Sequence, residues 1–96
     1  MLVYISGPIS GIPDDNRAAF TRAVEYLASI GHDAINPLDI AATLPVDAEY
    51  PDYIRADVLA LLDCEALYVL PGWQSSRGAC VEVMLAKALD MRIIHA

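Results

Sequence analysis

The sequence predicts a small three-layer α/β sandwich built on a four-stranded parallel sheet. Three observations carry this expectation. Short runs rich in β-branched and aromatic residues alternate with stretches whose apolar residues recur at helical spacing. Glycine, proline, serine and asparagine punctuate the boundaries between them. The length of 96 residues, at 56% hydrophobic, supplies one core and no more. Strands that alternate with helices pair in parallel through right-handed crossovers and carry helices on both faces. Ligands of such sheets sit beyond the carboxyl ends of the strands.

Met1 to Ile5 is an apolar, β-branched and aromatic run cut off by Ser6-Gly7-Pro8, which predicts a buried first strand and a tight turn. From Asn16, a candidate cap, apolar residues recur at Ala19, Phe20, Ala23, Val24 and Leu27, one face of a helix that Gly31 stops. His32 to Asn36 reads as a short second strand ended by Pro37. A polar, alanine-rich connection with room for a short helix then runs to about Glu49. Ile54, Val58, Leu61 and Leu62 give a second helical stripe, with Pro51 in its first turn. Glu65 to Leu70 is a third, buried strand stopped by Pro71-Gly72. A third main helix, capped by Ser75 or Ser76, carries Val81, Met84, Leu85, Ala88 and Leu89 on one face, and Met91 to His95 closes the sheet. This order makes one Rossmann-like or flavodoxin-like domain over residues 1–96. It gathers three loops at the ligand end of the sheet: Ser6 to Gly11, the stretch after Asn36, and Pro71 to Gly78.

Composition narrows the function classes. A chain of this length buries only about 60 to 65% of its unfolded surface. Its apolar content exceeds what one such core encloses, which predicts a homo-oligomer. The formal charge is −7, with 6 Lys and Arg against 13 Asp and Glu, so the basic footprint that polymeric DNA or RNA requires is missing. A small phosphorylated molecule stays compatible with that charge, because helix amino ends and turn amides hold phosphate without many cations. Cys64 and Cys80 lie in predicted apolar elements, form no metal-binding spacing, and suit the reducing cytoplasm. Neither a signal segment nor a membrane span is legible, and the expectation is a cytoplasmic protein away from membranes.

Chemistry concentrates at two places. In Ser6-Gly7-Pro8-Ile9-Ser10-Gly11, glycines allow a sharp turn and a close backbone approach while Ser6 and Ser10 add hydroxyls. The loop reads either as a phosphate or sugar cradle or as an ordinary β-to-α turn. In Ser75-Ser76-Arg77-Gly78-Ala79-Cys80-Val81-Glu82, a helix start bears hydroxyls and a glycine, and a carboxylate follows in its second turn. Gly78 and Glu82 are four residues apart and share a face, so the absent side chain leaves room beside the carboxylate. Asp57 follows Tyr53 by four residues and is a candidate second carboxylate for general acid work. Tyr4, ending a buried strand, reads either as a group that orients Glu82 or as one that satisfies a core hydrogen bond. Trp73 is a candidate for stacking on a base, and Arg77 for pairing a phosphate. His32 and His95 lack partners at ligand spacing, so a metal is not expected; the hydrolytic reading that follows requires no organic cofactor either.

Taken together, Tyr4-Ile5-Ser6-Gly7-Pro8-Ile9-Ser10-Gly11, Asn36-Pro37, Asp57, Asp63 to Gly72 and Ser76-x-Gly78-x-x-x-Glu82 resemble the nucleoside 2-deoxyribosyltransferase superfamily, in particular its short, phage-type DUF4406-like branch. That superfamily contains deoxyribosyltransferases, which exchange bases, and 2'-deoxynucleoside 5'-monophosphate N-hydrolases, which release the base to water. The resemblance implies that Glu82 is the catalytic carboxylate, that Tyr4 stands beside it, and that Asp57 passes a proton to the base. It also implies that Gly7 and the following loop line the sugar and phosphate. Transferases carry Asp six residues before the Glu, whereas the monophosphate hydrolases carry Ser, and this chain has Ser76. Ser10 stands where those hydrolases have arginine, which leaves Arg77 as the candidate cation for the phosphate. The reaction implied is hydrolysis of the N-glycosidic bond of a (deoxy)nucleoside 5'-monophosphate, with base exchange or non-catalytic nucleotide binding as alternatives.

Overall fold

Residues 1–96 are described by a computed structural model. Strand β1 (Leu2–Ser6) alternates as a strand buried on both faces must, sending Val3 and Ile5 to one side and Tyr4 and Ser6 to the other. It pairs in parallel with β2 (Asp33–Ile35) on one edge and with β3 (Ala66–Val69) on the other. Beyond β3 lies β4 (Arg92–His95), giving the four-stranded parallel order β2-β1-β3-β4. Tyr4 registers with Leu67 and Ser6 with Val69. The chain winds from β1 outward to β2 and then returns to the far side of β1. The crevice of this sheet therefore opens between the carboxyl ends of β1 and β3.

Three layers follow from the two faces. Helix α1 (Arg17–Ser29) lays Phe20, Ala23 and Leu27 on Val3, Ile5, Ala66 and Tyr68. On the opposite face Tyr4, Leu67 and Val69 pack beneath Leu61 of α3 (Tyr50–Leu62) and Val83 and Ala86 of α4 (Arg77–Ala88). A short helix α2 (Pro37–Ala41) and two 3₁₀ turns, Pro13–Asn16 and Trp73–Ser75, complete the chain. No helix is long and apolar enough to cross a membrane.

The structure corrects three local expectations. Asn16 occupies the cap position of α1 but does not cap it: its φ of 59° is left-handed, and its Nδ2 donates to the Pro8 carbonyl at 3.0 Å. With Asp14 and Asp15, at φ 53° and 54°, it makes three successive non-glycine residues in the left-handed region, which Asp and Asn tolerate better than other side chains. Other boundaries fall as expected: β2 ends before Pro37, and the short helix for which the connection had room is α2, opened by Pro37 and capped by Asn36 Oδ1 accepting from the Leu38 amide at 3.0 Å. Helix α4 buries Ala79, Glu82, Val83 and Ala86 rather than the predicted stripe; Val81, Met84 and Leu89 are exposed. The small side chains of Ala79 and Ala86 let α4 lie close to the sheet, and the bond between Glu82 and β1 fixes its rotation. On α3, likewise, Leu61 is buried while Leu62 faces outward.

Candidate active site

The site starts from the pleat of β1. Tyr4 and Ser6, two residues apart, point to the same face, and both are fully buried. Each donates to one oxygen of Glu82: Tyr4 Oη to Oε2 at 2.5 Å and Ser6 Oγ to Oε1 at 2.7 Å. Short bonds of this kind, from hydroxyl to carboxylate, are among the stronger hydrogen bonds in proteins. Glu82 reaches them from the second turn of α4, whose start is fixed by Ser76 Oγ accepting from the Ala79 amide at 3.2 Å. The carboxylate is 5% exposed and has both oxygens bonded, so its rotamer is held rather than free.

Above Glu82 opens a cavity of about 420 Å³. Its floor and one wall come from Gly7, Ile9, Ser10 and Asp15 after β1 and from Pro37, Leu38 and Ala41 of α2. The other wall is Tyr50, Tyr53, Ile54 and Asp57 of α3 with Ser76, Gly78, Ala79 and Glu82 of α4. Two carboxylates foreseen from sequence, Asp57 and Glu82, thus line one space, together with Gly7, Ile9, Ser10, Ser76 and Gly78. Tyr4 and Ser6 lie beneath the cavity and meet it through Glu82. Gly78 does provide room: a methyl there would come within 3.4 Å of Ile54 Cδ1 and 3.6 Å of the Tyr50 hydroxyl. Gly7 serves packing instead, since a Cβ would lie 2.7 Å from Leu70 Cβ.

Four other residues singled out in the sequence stand elsewhere. Pro8 is held through its carbonyl by Asn16 and Gly11 turns at φ +80°, and neither lines the cavity. Trp73 packs on the core cluster containing Tyr4, Leu61 and Val83. Arg77 stacks its guanidinium 4.9 Å from the Tyr50 ring centroid and lines a neighbouring groove. Sequence reasoning missed Tyr50, Ile54 and Asp15 as lining residues. Tyr50, Tyr53 and Asp57 fall at i, i+3 and i+7, a spacing that placed them on one helix face. Asp15 had no signal, because a left-handed turn delivers it.

No lysine or arginine lines the cavity, and the electrostatics follow from that. Burial, then the charge of Glu82, pushes the Asp57 carboxyl up to about 7. Burial raises Glu82 as well, opposed by the bonds from Tyr4 and Ser6 that favour its ionised form. Tyr4 is driven above the ordinary phenol range by burial, then by Glu82 and Asp57, and stays a hydrogen-bond donor. The two carboxyl groups therefore differ in setting: Glu82 is clamped by two hydroxyl donors, and the Asp57 carboxyl is raised to about 7. No cluster of three or more His, Cys, Asp or Glu side chains is gathered for a metal ion. Both cysteines are free thiols; Cys64 is pushed up to about 11, chiefly by burial.

No curated protein matches the sequence. Among solved structures, a conserved protein from Enterococcus faecalis V583 superposes with a TM-score of 0.74 at 22% identity, which is a likeness of fold. The match covers 99% of this chain, which spans 62% of that protein's length. The sequence profile described as "Domain of unknown function (DUF4406)" matches residues 1–95, and the chain therefore belongs to the DUF4406 family.

Proposed function

We propose that the protein hydrolyses the N-glycosidic bond of a (deoxy)nucleoside 5'-monophosphate, as the nucleoside 2-deoxyribosyltransferase-like motifs imply. The observation that carries this reading is the convergence of Asp57 and Glu82 on one cavity with Tyr4 and Ser6 clamping Glu82. Glu82, ionised, attacks C1' of the sugar as the C1'–N bond breaks, and the bonding pair leaves with the base. Asp57, protonated up to about pH 7, donates its proton to the departing base nitrogen. The Asp57 carboxylate then takes a proton from water, whose oxygen attacks C1', releases Glu82 and yields the sugar phosphate. Tyr50 and Tyr53 offer faces for the base. Ser10 and Ser76, with the amide groups at the start of α4, suit the 5'-phosphate in a wall that has no cation.

The test is incubation with a panel of ribo- and deoxyribonucleoside 5'-monophosphates, following free base by chromatography. Release of base is expected from at least one of them, with a loss of about a thousandfold or more in Glu82→Gln. No release from any substrate overturns the reading. A new nucleotide formed when a free acceptor base is supplied, faster than hydrolysis, replaces hydrolysis by base exchange.

A further inference from the structure

Two of the chain's 6 Lys and Arg residues, Arg55 and Arg77, line one small groove that the reaction above does not use. The groove has a volume of about 290 Å³ and lies along the amino halves of α3 and α4, with Pro51, Ile54 and Val81 as apolar walls. Neither guanidinium is paired inside the chain. The ion pair of this protein joins Arg17 to Asp14, and the acids at the start of α3, Glu49 and Asp52, are engaged in the capping box of that helix. Arg77 lies with its Cζ 4.9 Å over the Tyr50 ring centroid. Stacking of this kind holds the plane of a guanidinium and leaves the N–H groups at its edge for an acceptor. In a chain of net charge −7, two unpaired cations on one groove concentrate positive potential there.

The groove adjoins the cavity above Glu82. Tyr50 and Ile54 line both spaces, and Ser76, in the cavity wall, is followed directly in the chain by Arg77, in the groove wall. With a volume of about 290 Å³ the groove sits at the lower limit of ligand pockets. It therefore suits one group of a ligand whose body fills the cavity, and not a second ligand. Guanidinium donors match the oxygens of a phosphoryl group. The cavity is lined by Asp15, Asp57 and Glu82 and by no cation, so a phosphate chain that starts there meets positive charge on reaching the groove. We infer that Arg55 and Arg77 form a subsite for a second phosphoryl group, and that the preferred substrate is a nucleotide whose 5'-phosphate bears a further phosphate. The inference rests on the reading of the cavity as the place of base, sugar and first phosphate, and it leaves the bond that breaks unchanged.

The experiment is calorimetric titration of the full chain with the 5'-mono- and 5'-diphosphates of the common ribo- and deoxyribonucleosides, which reads binding and not turnover. For at least one nucleoside the diphosphate is expected to bind about tenfold tighter than the monophosphate. Arg55→Ala and Arg77→Ala are each expected to bring that ratio down to about one to three, and Arg55→Lys to keep part of it. Both arginines are exposed, and all three variants are expected to retain the circular dichroism of the unmutated chain. Equal affinity for mono- and diphosphates in the unmutated chain overturns the inference, as does a preference that survives both alanine substitutions. Base released from monophosphates without any preference for diphosphates overturns the subsite alone. A diphosphate preference that is lost with the arginines, in a chain that releases base from no nucleotide, overturns hydrolysis alone. No binding of any nucleotide overturns both.

Discussion

Glu82 is the residue on which the site turns, and its environment makes opposed demands. Burial penalises its charge, while Tyr4 and Ser6 each supply a hydrogen bond that favours it. Removing one donor leaves a buried carboxylate oxygen short of a partner. Tyr4→Phe and Ser6→Ala are therefore each expected to cost about 1–3 kcal/mol in urea unfolding at neutral pH. Asp57 carries the pH dependence. Its carboxyl titrates at about 7 in the folded chain against about 3.9 when unfolded, so the folded state holds the proton more tightly. Its contribution to stability is complete below about pH 4 and is lost as pH rises towards 7, because the unfolded chain ionises first. Asp57→Asn removes this loss. Thermal melts are expected to show the variant close to the unmutated protein at pH 4 and more stable at pH 8, by on the order of 2 kcal/mol after allowance for solvent access. In the assay for free base the same variant is expected to lose activity, the pairing of gain and loss that marks a strained functional group.

At the scale of elements, the two glycines that face the site's walls differ in kind. Gly7 lies where the end of β1 passes the Leu70 side chain, and a methyl group would meet Leu70 Cβ at 2.7 Å, too close for a rotamer change to relieve. Gly7→Ala is expected to destabilise by about 1–3 kcal/mol in denaturant titration. Gly78 lies in the first turn of α4, where a methyl group meets Ile54 Cδ1 at 3.4 Å, a contact at the tight edge of normal. Because alanine gains helix propensity over glycine, Gly78→Ala is expected to fold with stability within about 1 kcal/mol of the unmutated chain while narrowing the cavity. A weaker ligand affinity at unchanged stability would show that Gly78 serves the ligand space and not the helix. The element boundaries were legible where chemistry is local: the capping serine at 76, Pro51 in the first turn of α3, and Gly31 at φ +87° after α1. They misled where a side chain found a distant partner, as Asn16 did in reaching back to Pro8.

For the whole molecule, the winding order explains why the site forms where it does. The switch of direction at β1 leaves a crevice between β1 and β3 that no crossover covers, and the loops after β1 and β3 with the amino end of α4 converge on it. The other global feature is apolar surplus: in a chain that is 56% hydrophobic, 22 of 96 residues are buried.

The sequence by itself determined the alternation of strands and helices, the parallel sheet and the pairing of Asp57 with Glu82 as candidates. The first two rest on local periodicity and turn chemistry, which act over a few residues; the pairing of the two carboxylates rests on the motif resemblance. The tertiary structure alone decided the rotation of α4. Its apolar periodicity fits two faces, and the choice was made by Glu82 meeting Tyr4 and Ser6 across 78 and 76 residues of chain. That one long-range contact turns Met84 and Val81 outward. It also gives Ser6 its place beside the carboxylate, where the sequence had suggested a ligand loop.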